Sequence, residues 1–366
     1  MITGGFGEKR LTFNIAVISG DGVGPEICEA AKKVLTRIAG KFGHRFNFTE
    51  VLMGGASIDI YGSPLIKDEL DICLKSDAVL LGAIGGPKWD DLESDKRPEK
   101  GLLNLRQKMK LYANLRPSVT FSELYSSSPL KPEILNKGLD ILIVRELTGG
   151  IYFGNQKTME DELGIVAFDT EKYYEYEIER ILKVAFEQAQ KRRNKLTSVD
   201  KANILETSRL WRRVLHKLSP MYPDVKVNEM YVDNCAMQLV KNPSQFDVIV
   251  TSNMFGDILS DELAALGSSI GMMPSCSIGE DKLGLYEPIH GSAPDIADKD
   301  IANPIGIILA TAMMLRQSFG LKIEANAVEK AVAEVIKRGY RTKDIYNKEN
   351  ILVGTAEMGG LIEKFI

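Results

Sequence analysis

Histidine is scarce in this chain: His44, His216 and His290 are the only three among 366 residues. A metal site built on imidazoles is thereby excluded, and any bound metal must be held mainly by oxygen. Cysteine is sparse too. Cys28, Cys73, Cys235 and Cys276 are scattered, with no C-x-x-C pair, which excludes a zinc ribbon or disulfide frame and reads as reduced thiols. No apolar run reaches the length of a transmembrane helix. The net charge of −4 is too small to mark a nucleic-acid or anionic-membrane binder. Residues 1–10 lack an apolar h-region, so the expectation is no secretory signal and a cytoplasmic protein. A dinucleotide fingerprint is also missing. Gly20-Asp-Gly-Val-Gly24 fails the G-x-G-x-x-G spacing and reads as a tight turn whose glycines take positive φ. No P-loop or comparable phosphate cradle is present, which argues against a Mg²⁺-dependent phosphoryl enzyme.

What is present is an alternation of strand-like and helix-like segments, the pattern of an α/β protein. Phe13 to Ile18, Arg45 to Val51, Ala78 to Gly82, Ile141 to Val144 and Phe246 to Thr251 read as strands. Pro25 suits a first helical turn, followed by a face of Ile27, Ala31, Val34, Leu35 and Ile38. Further helical faces comprise Ile178, Ile181, Leu182, Ala185, Phe186 and Ala189, and Leu210, Val214, Leu215 and Leu218. The last third is helical around Ile305 to Leu315 and Ala327 to Arg338. Gly85 to Gly101, rich in glycine, proline and charge, predicts a long loop.

Several residues could carry chemistry. Asp257 and Asp261 stand four apart just past a strand, so their carboxylates share one helical face. Two like charges there are either solvated or drawn together by a hard divalent cation, and the spacing alone does not choose. Arg106, Arg116 and Arg145 follow turn or strand signals; guanidinium matches carboxylate geometry, though each could be a surface residue. Tyr152 follows Gly149 and Gly150, either as a proton-carrying phenol or as packing in a hairpin. Lys201 follows an apparent strand, as a surface lysine or as a base near a cation. Asp233 opens a helix, as an N-cap or as a ligand. Glu287 to Ile296 is a Gly/Pro-punctuated loop containing His290.

Taken in order, these segments resemble the isocitrate/isopropylmalate family of β-decarboxylating dehydrogenases. The resemblance runs from Gly20-Asp-Gly-Val-Gly-Pro-Glu26 to Arg341-Thr-Lys-Asp-Ile345. Its most specific stretches are Gly85 to Trp89, Arg145 to Gly154, Asp200 to Asn203, Asn253 to Asp261 and His290 to Asp295. It implies the family's two-domain α/β fold with a mixed central sheet, not a Rossmann fold. The implied domains are residues 1–111 plus 267–366, with the NAD-binding loop, and 112–266, with the dimer interface and metal-binding aspartates. It further implies oxidative decarboxylation of a malate with NAD and Mg²⁺ or Mn²⁺, and a homodimer with shared sites. By this resemblance Arg106, Arg116 and Arg145 hold carboxylates, and Asp233, Asp257 and Asp261 ligate the metal. Lys201 is the base and Tyr152 the acid, with Lys201 and Asp233 reaching the neighbouring subunit's site. Asp233 would also touch the substrate. Glu287, His290, Gly291, Ser292, Ala293, Asp295 and Asn303 would hold the cofactor.

Within that family, the substituent on the malate is read at Glu99 to Arg106, where this chain offers Leu102 and Leu103. The resemblance therefore points to the branch that acts on 3-isopropylmalate in leucine biosynthesis. Burying an isopropyl group contributes roughly 2 kcal/mol, whereas an unpaired carboxylate against leucine costs several. Asp295 would repel a 2′-phosphate, favouring NAD over NADP. Cys235 replaces the family's small residue; beside Asp233, it is expected to make activity sensitive to oxidation.

Overall fold

The computed structural model describes residues 10–366. The first nine residues lie outside the described residues, and with them most of the segment bearing on a secretory signal. The strands in chain order are β1 (Thr12–Gly20), β2 (Arg45–Glu50), β3 (Ala78–Ala83), β4 (Ala113–Val119), β5 (Asp140–Glu146), β6 (Gln156–Asp161), β7 (Gly164–Asp169), β8 (Lys195–Asp200), β9 (Lys226–Tyr231), β10 (Val248–Thr251), β11 (Pro274–Ile278) and β12 (Leu285–Pro288). The chain divides into two compact units. Of the described residues, the first holds 10–109, 271–276 and 281–366, and the second holds 110–270 and 277–280. The cuts fall after residues 109 and 270, and residues 277–280 return to the second unit.

In the first unit the strands run β2-β1-β3-β12-β11. β1 is parallel to both β2 and β3, and β12 is parallel to β3. β3 is buried along its whole length, as expected of a strand covered on both faces. The helix Gly24–Phe42 begins with Pro25 in its first turn and buries Ile27, Ala31, Val34, Leu35 and Ile38. This apolar face follows from the 3.6-residue period. Helices Ile305–Gln317, Lys322–Lys337 and Thr355–Phe365 complete the packing. The sheet order reverses about β1, so the carboxyl ends of β1 and β3 form a switch point where an α/β sheet can take a ligand.

Gly20 and Gly22 adopt positive φ at that point. A Cβ at Gly22 would run into the Ser292 backbone, and Val23 N donates to Ser292 O at 2.8 Å. The turn that fails as a phosphate fingerprint is thus a close-packed seat for the loop carrying His290. Asp21 is buried within it and accepts hydrogen bonds from the backbone N–H groups of Gly55, Ala56 and Gly85 at 2.8–2.9 Å.

The expected long loop from Gly85 to Gly101 ends early, because a helix runs from Pro98 to Lys108. Pro98 fills the first helical position, where no N–H is needed. Gly101 sits inside this helix because a Cβ there would meet Pro64 O at 2.8 Å. The remaining loop is pinned by Trp89, whose ring covers Gly55 and whose Nε1 donates to Asp59.

In the second unit the strands run β4-β5-β10-β8-β9, with β4 antiparallel to β5 and the other pairs parallel. The sheet is therefore mixed. Helix Glu175–Gln190 buries the six predicted apolar residues. Helix Glu206–Leu218 buries Trp211 rather than Leu210. β10 begins at Val248, two residues later than the apolar run suggests. β6 and β7 form a separate two-stranded hairpin with exposed Leu163 and Ile165.

Asp21→Ala should destabilise the first unit by about 3 kcal/mol, since three backbone donors, two of them buried, would lose their acceptor at ~1 kcal/mol each. A shift of less than ~1 kcal/mol in its urea transition would show that the Asp21 carboxylate is not the organiser of this turn.

Candidate active site

The carboxyl ends of four parallel strands in the second unit deliver its polar groups. Arg145 lies at the end of β5, opposite Thr251 of β10. β10 passes directly into helix Asn253–Gly267, which carries Asp257 and Asp261 one turn apart. Lys201 follows β8, and Asp233 follows β9 by two residues. Strand pairing thus gathers residues that lie far apart in sequence.

Asp257 is the centre of the first cluster. Its Oδ1 accepts from Arg145 Nη1 at 2.5 Å and Arg116 Nη1 at 3.2 Å, and its Oδ2 accepts from the Tyr152 hydroxyl at 3.2 Å. Arg116 Nη1 also lies 3.5 Å from Asp261 Oδ1. Tyr152 belongs to a short 3₁₀ turn, Ile151–Phe153, not to the hairpin that follows. Its ring lies 5.8 Å from the Arg145 guanidinium. Burial, then the Asp257 charge, pushes the Tyr152 phenol above its ordinary pKa, so it keeps its proton at neutral pH. Burial also raises Asp261; Arg116 opposes this, and the neighbouring Asp257 adds to it.

Both arginines are held from behind. Arg116 Nε donates to Asn114 Oδ1 at 2.7 Å, and its Nη1 donates to Ser260 Oγ at 2.7 Å. Arg145 is 3% exposed, and its Nε and Nη2 donate to Asn253. Gly256 is required here, because a Cβ would stand 2.6 Å from Arg145 Cγ. Asn114, Asn253 and Ser260 were not singled out from sequence.

Lys201 and Asp233 form a second cluster in the same unit. Lys201 Nζ donates to Asp233 Oδ2 at 2.5 Å, and this bond holds the Asp233 carboxyl below its ordinary pKa. Asp233 is not the N-cap considered from sequence; Tyr231 occupies that position, and Asp233 lies within the first helical turn. Among the described residues of this single chain, no three His, Cys, Asp or Glu side chains converge into a metal-binding group. Asp233 therefore does not join Asp257 and Asp261 within one chain.

Cys235 corrects an expectation. It is wholly buried in the core with Leu239, Phe246 and Ile249. Burial pushes its thiol up to about 12, which suppresses the reactive thiolate. Burial pushes the thiols of Cys28, Cys73 and Cys276 up to about 12 as well.

The remaining candidates lie in the first unit. Arg106 projects from helix Pro98–Lys108, and Leu102 and Leu103 lie one turn before it, half-buried on the same side. Arg106 Nη2 donates to Glu287 Oε1 at 2.6 Å in a largely buried ion pair. Glu287 closes β12, and the loop through His290 follows. Ser292 is buried, Ala293 takes positive φ, and Gly291 and Asp295 are exposed. Asn303 Nδ2 donates to Asp344 at 3.0 Å, and its Oδ1 accepts from Ile305 N. His290 is half-buried, and desolvation lowers its pKa.

Residues 14–362 match the family model described as isocitrate/isopropylmalate dehydrogenase. The chain is 56% identical over 350 residues to the 3-isopropylmalate dehydrogenase of Clostridium pasteurianum, covering 96% of this chain and 98% of that protein. It is 55% identical over 347 residues to the 3-isopropylmalate dehydrogenase of Aquifex aeolicus, covering 94% and 95%. Among solved structures, isocitrate dehydrogenase from Methylococcus capsulatus superposes with a TM-score of 0.85 at 36% identity, over 96% of this chain and 99% of that one. A β-decarboxylating dehydrogenase from Thermococcus kodakarensis gives 0.77 at 35% identity, with 96% of each chain covered.

His290 should titrate below the ordinary histidine value when followed by NMR. Its neutral form is favoured in the fold, so its contribution to stability is complete above the unfolded pKa and is lost as pH falls through the folded one. A His290 midpoint at or above the value in an unfolded peptide would refute the burial argument.

Proposed function

This chain belongs to the isocitrate/isopropylmalate dehydrogenase family, and we propose that it oxidatively decarboxylates 3-isopropylmalate to 4-methyl-2-oxopentanoate and CO₂ with NAD, in leucine biosynthesis. The observation that carries this reading is the convergence of Arg116, Arg145 and Tyr152 on Asp257. It joins two cations that match a carboxylate with a protonated phenol. Leu102 and Leu103, beside Arg106, favour an apolar C3 substituent over the third carboxylate of isocitrate.

Arg106, Arg116 and Arg145 would bind the malate carboxylates. Lys201 would take the C2 hydroxyl proton as the C2 hydride departs. Loss of the β-carboxylate as CO₂ leaves an electron pair at C3, and Tyr152 would supply the proton there. Nicotinamide, when bound, accepts the hydride. The donor set suits Mg²⁺ or Mn²⁺: carboxylate oxygens only, with Asp261 open to solvent beside Asp257. Such an ion supplies Lewis-acid stabilisation of negative charge on the 2-oxo oxygen.

The first unit has features that suit a dinucleotide. Gly291 has open space where a Cβ would stand, and a neutral His290 ring can stack on adenine. Ser292, Ala293, Glu287 and Asn303 would complete that cradle, and Asp295 would meet the ribose hydroxyls. In this reading the first unit is the NAD-binding domain, and the second is the metal-binding and dimerisation domain.

A homodimer with shared sites is part of the proposal. Lys201 and Asp233 are bonded to each other as a preformed pair, suited to delivery together into a partner's site. Met237, Val240 and Ile258 are exposed apolar residues on helices of the same unit, a surface suited to a second copy. Among the described residues no helix is long and apolar enough to cross a membrane, and a cytoplasmic location fits the reading.

NADH formation should appear with 3-isopropylmalate in the presence of Mn²⁺, well above that with isocitrate or malate, and with NAD⁺ rather than NADP⁺. Equal or better turnover of isocitrate would sink the substrate assignment; turnover indifferent to metal would sink the aspartate roles. Tyr152→Phe and Lys201→Met should each lower kcat by about 10²–10⁴-fold. Mixed and reassociated, they should regain roughly a quarter of wild-type activity, because half of the dimers would carry one intact site of two. No recovery in verified hybrids would count against sharing.

A further inference from the structure

Tyr173 lies outside every role assigned above, yet it touches the supports of two groups around Asp257, Arg145 and Tyr152. It is buried, at 6% exposure, just before helix Glu175–Gln190. Its hydroxyl accepts the Asn253 backbone N–H at 3.0 Å. Asn253 is the first residue of the helix bearing Asp257, and the N-cap, Ser252, makes no side-chain capping bond. The first N–H groups of a helix lack intrahelical partners, so the phenol does the work of a cap from a distance of 80 residues. Asn253 in turn takes Arg145 Nε on its carbonyl oxygen at 2.9 Å and Arg145 Nη2 on its side-chain oxygen at 2.8 Å.

The ring is equally engaged. It fills the space where Gly149 and Gly150 would carry a Cβ, three and two residues before Tyr152. Its other side meets Trp211 edge to face at 5.6 Å. Glu146 lies next to the phenol. This wholly buried carboxylate accepts from Thr148 N and Gly149 N at 2.8–2.9 Å, fixing the same turn.

The geometry points to Tyr173 as a positioning residue: through Asn253 it holds the Arg145 guanidinium at Asp257, and so sets affinity for the substrate carboxylate without touching substrate. This rests on the reading of Arg145 as a carboxylate binder. It predicts a specific pattern, because the bonds from Tyr173 lead through Asn253 to Arg145, a group read as holding substrate rather than cofactor.

Tyr173→Phe keeps the ring under Gly149 and Gly150 and removes the hydroxyl, which accepts from Asn253 N and donates to Glu146. Steady-state kinetics should show KM for 3-isopropylmalate raised about tenfold, the scale of one lost hydrogen bond, with KM for NAD⁺ unchanged. In ¹⁵N NMR of the full-length protein, exchange of the Arg145 Nε proton with solvent should quicken, with assignment by comparison with Arg145→Lys. An unchanged Arg145 Nε exchange rate, or both KM values rising by the same factor, would overturn the proposal. Should Tyr173→Phe fail to fold, amide hydrogen exchange in the wild-type protein carries the test: a slowly exchanging Asn253 N–H supports the bond to Tyr173, and an unprotected one refutes it. Should the wild-type protein not oxidise 3-isopropylmalate, the substrate reading fails by itself, and the exchange rate still decides whether Tyr173 holds Arg145.

Discussion

A guanidinium almost wholly removed from water must have its charge and its N–H groups answered by protein, or the fold forfeits several kcal/mol. Arg145 is that group here. Its answer comes from one residue at the start of a helix and one a turn later, Asn253 and Asp257. The requirement dictates the register of β5 on β10, the absence of a side chain at Gly256 and the placement of Tyr152 over the same cation. Asp257 cannot move without exposing a charge on Arg145, so the acidic pair inherits the rigidity of the sheet.

The first unit solves a related problem with the opposite sign. Asp21 is a buried carboxylate answered by three backbone N–H groups rather than by a cation. Desolvation still raises its pKa, and those hydrogen bonds oppose the rise. The arrangement ties the ends of β1 and β3 to the Gly54-Gly55 turn, and Gly22 seats the Ser292 loop on top. One unit therefore anchors its site on a buried cation, the other on a buried anion.

Features governed by neighbours in sequence were legible without coordinates. The period-of-four pair Asp257 and Asp261, the apolar approach to Arg145 and the faces of the long helices all follow from local spacing. The support shell was not legible. Asn253 meets Arg145 across 108 residues, and Tyr173 meets Asn253 across 80; no local pattern encodes such bonds, and an isolated asparagine or tyrosine carries no periodic signal. Glycine misled in one place: Gly101 suggests a loop, whereas it lies in a helix to allow close approach of Pro64. Cys235 misled in another. Its sequence proximity to Asp233 suggested reactivity, but positions two apart on a helix point to nearly opposite sides, and the thiol faces the core.

The discontinuity of the first unit has a consequence for how the chain is made. β3 pairs with β1, only some sixty residues upstream, but its other neighbour is β12 at Leu285–Pro288. On a ribosome, all of the second unit is synthesised before β12 exists. Until then the buried, apolar β3 presents an open edge, the kind of surface on which nascent chains aggregate. Vectorial synthesis thus imposes an order: the inserted unit can close first, and the unit that begins the chain must wait for its end.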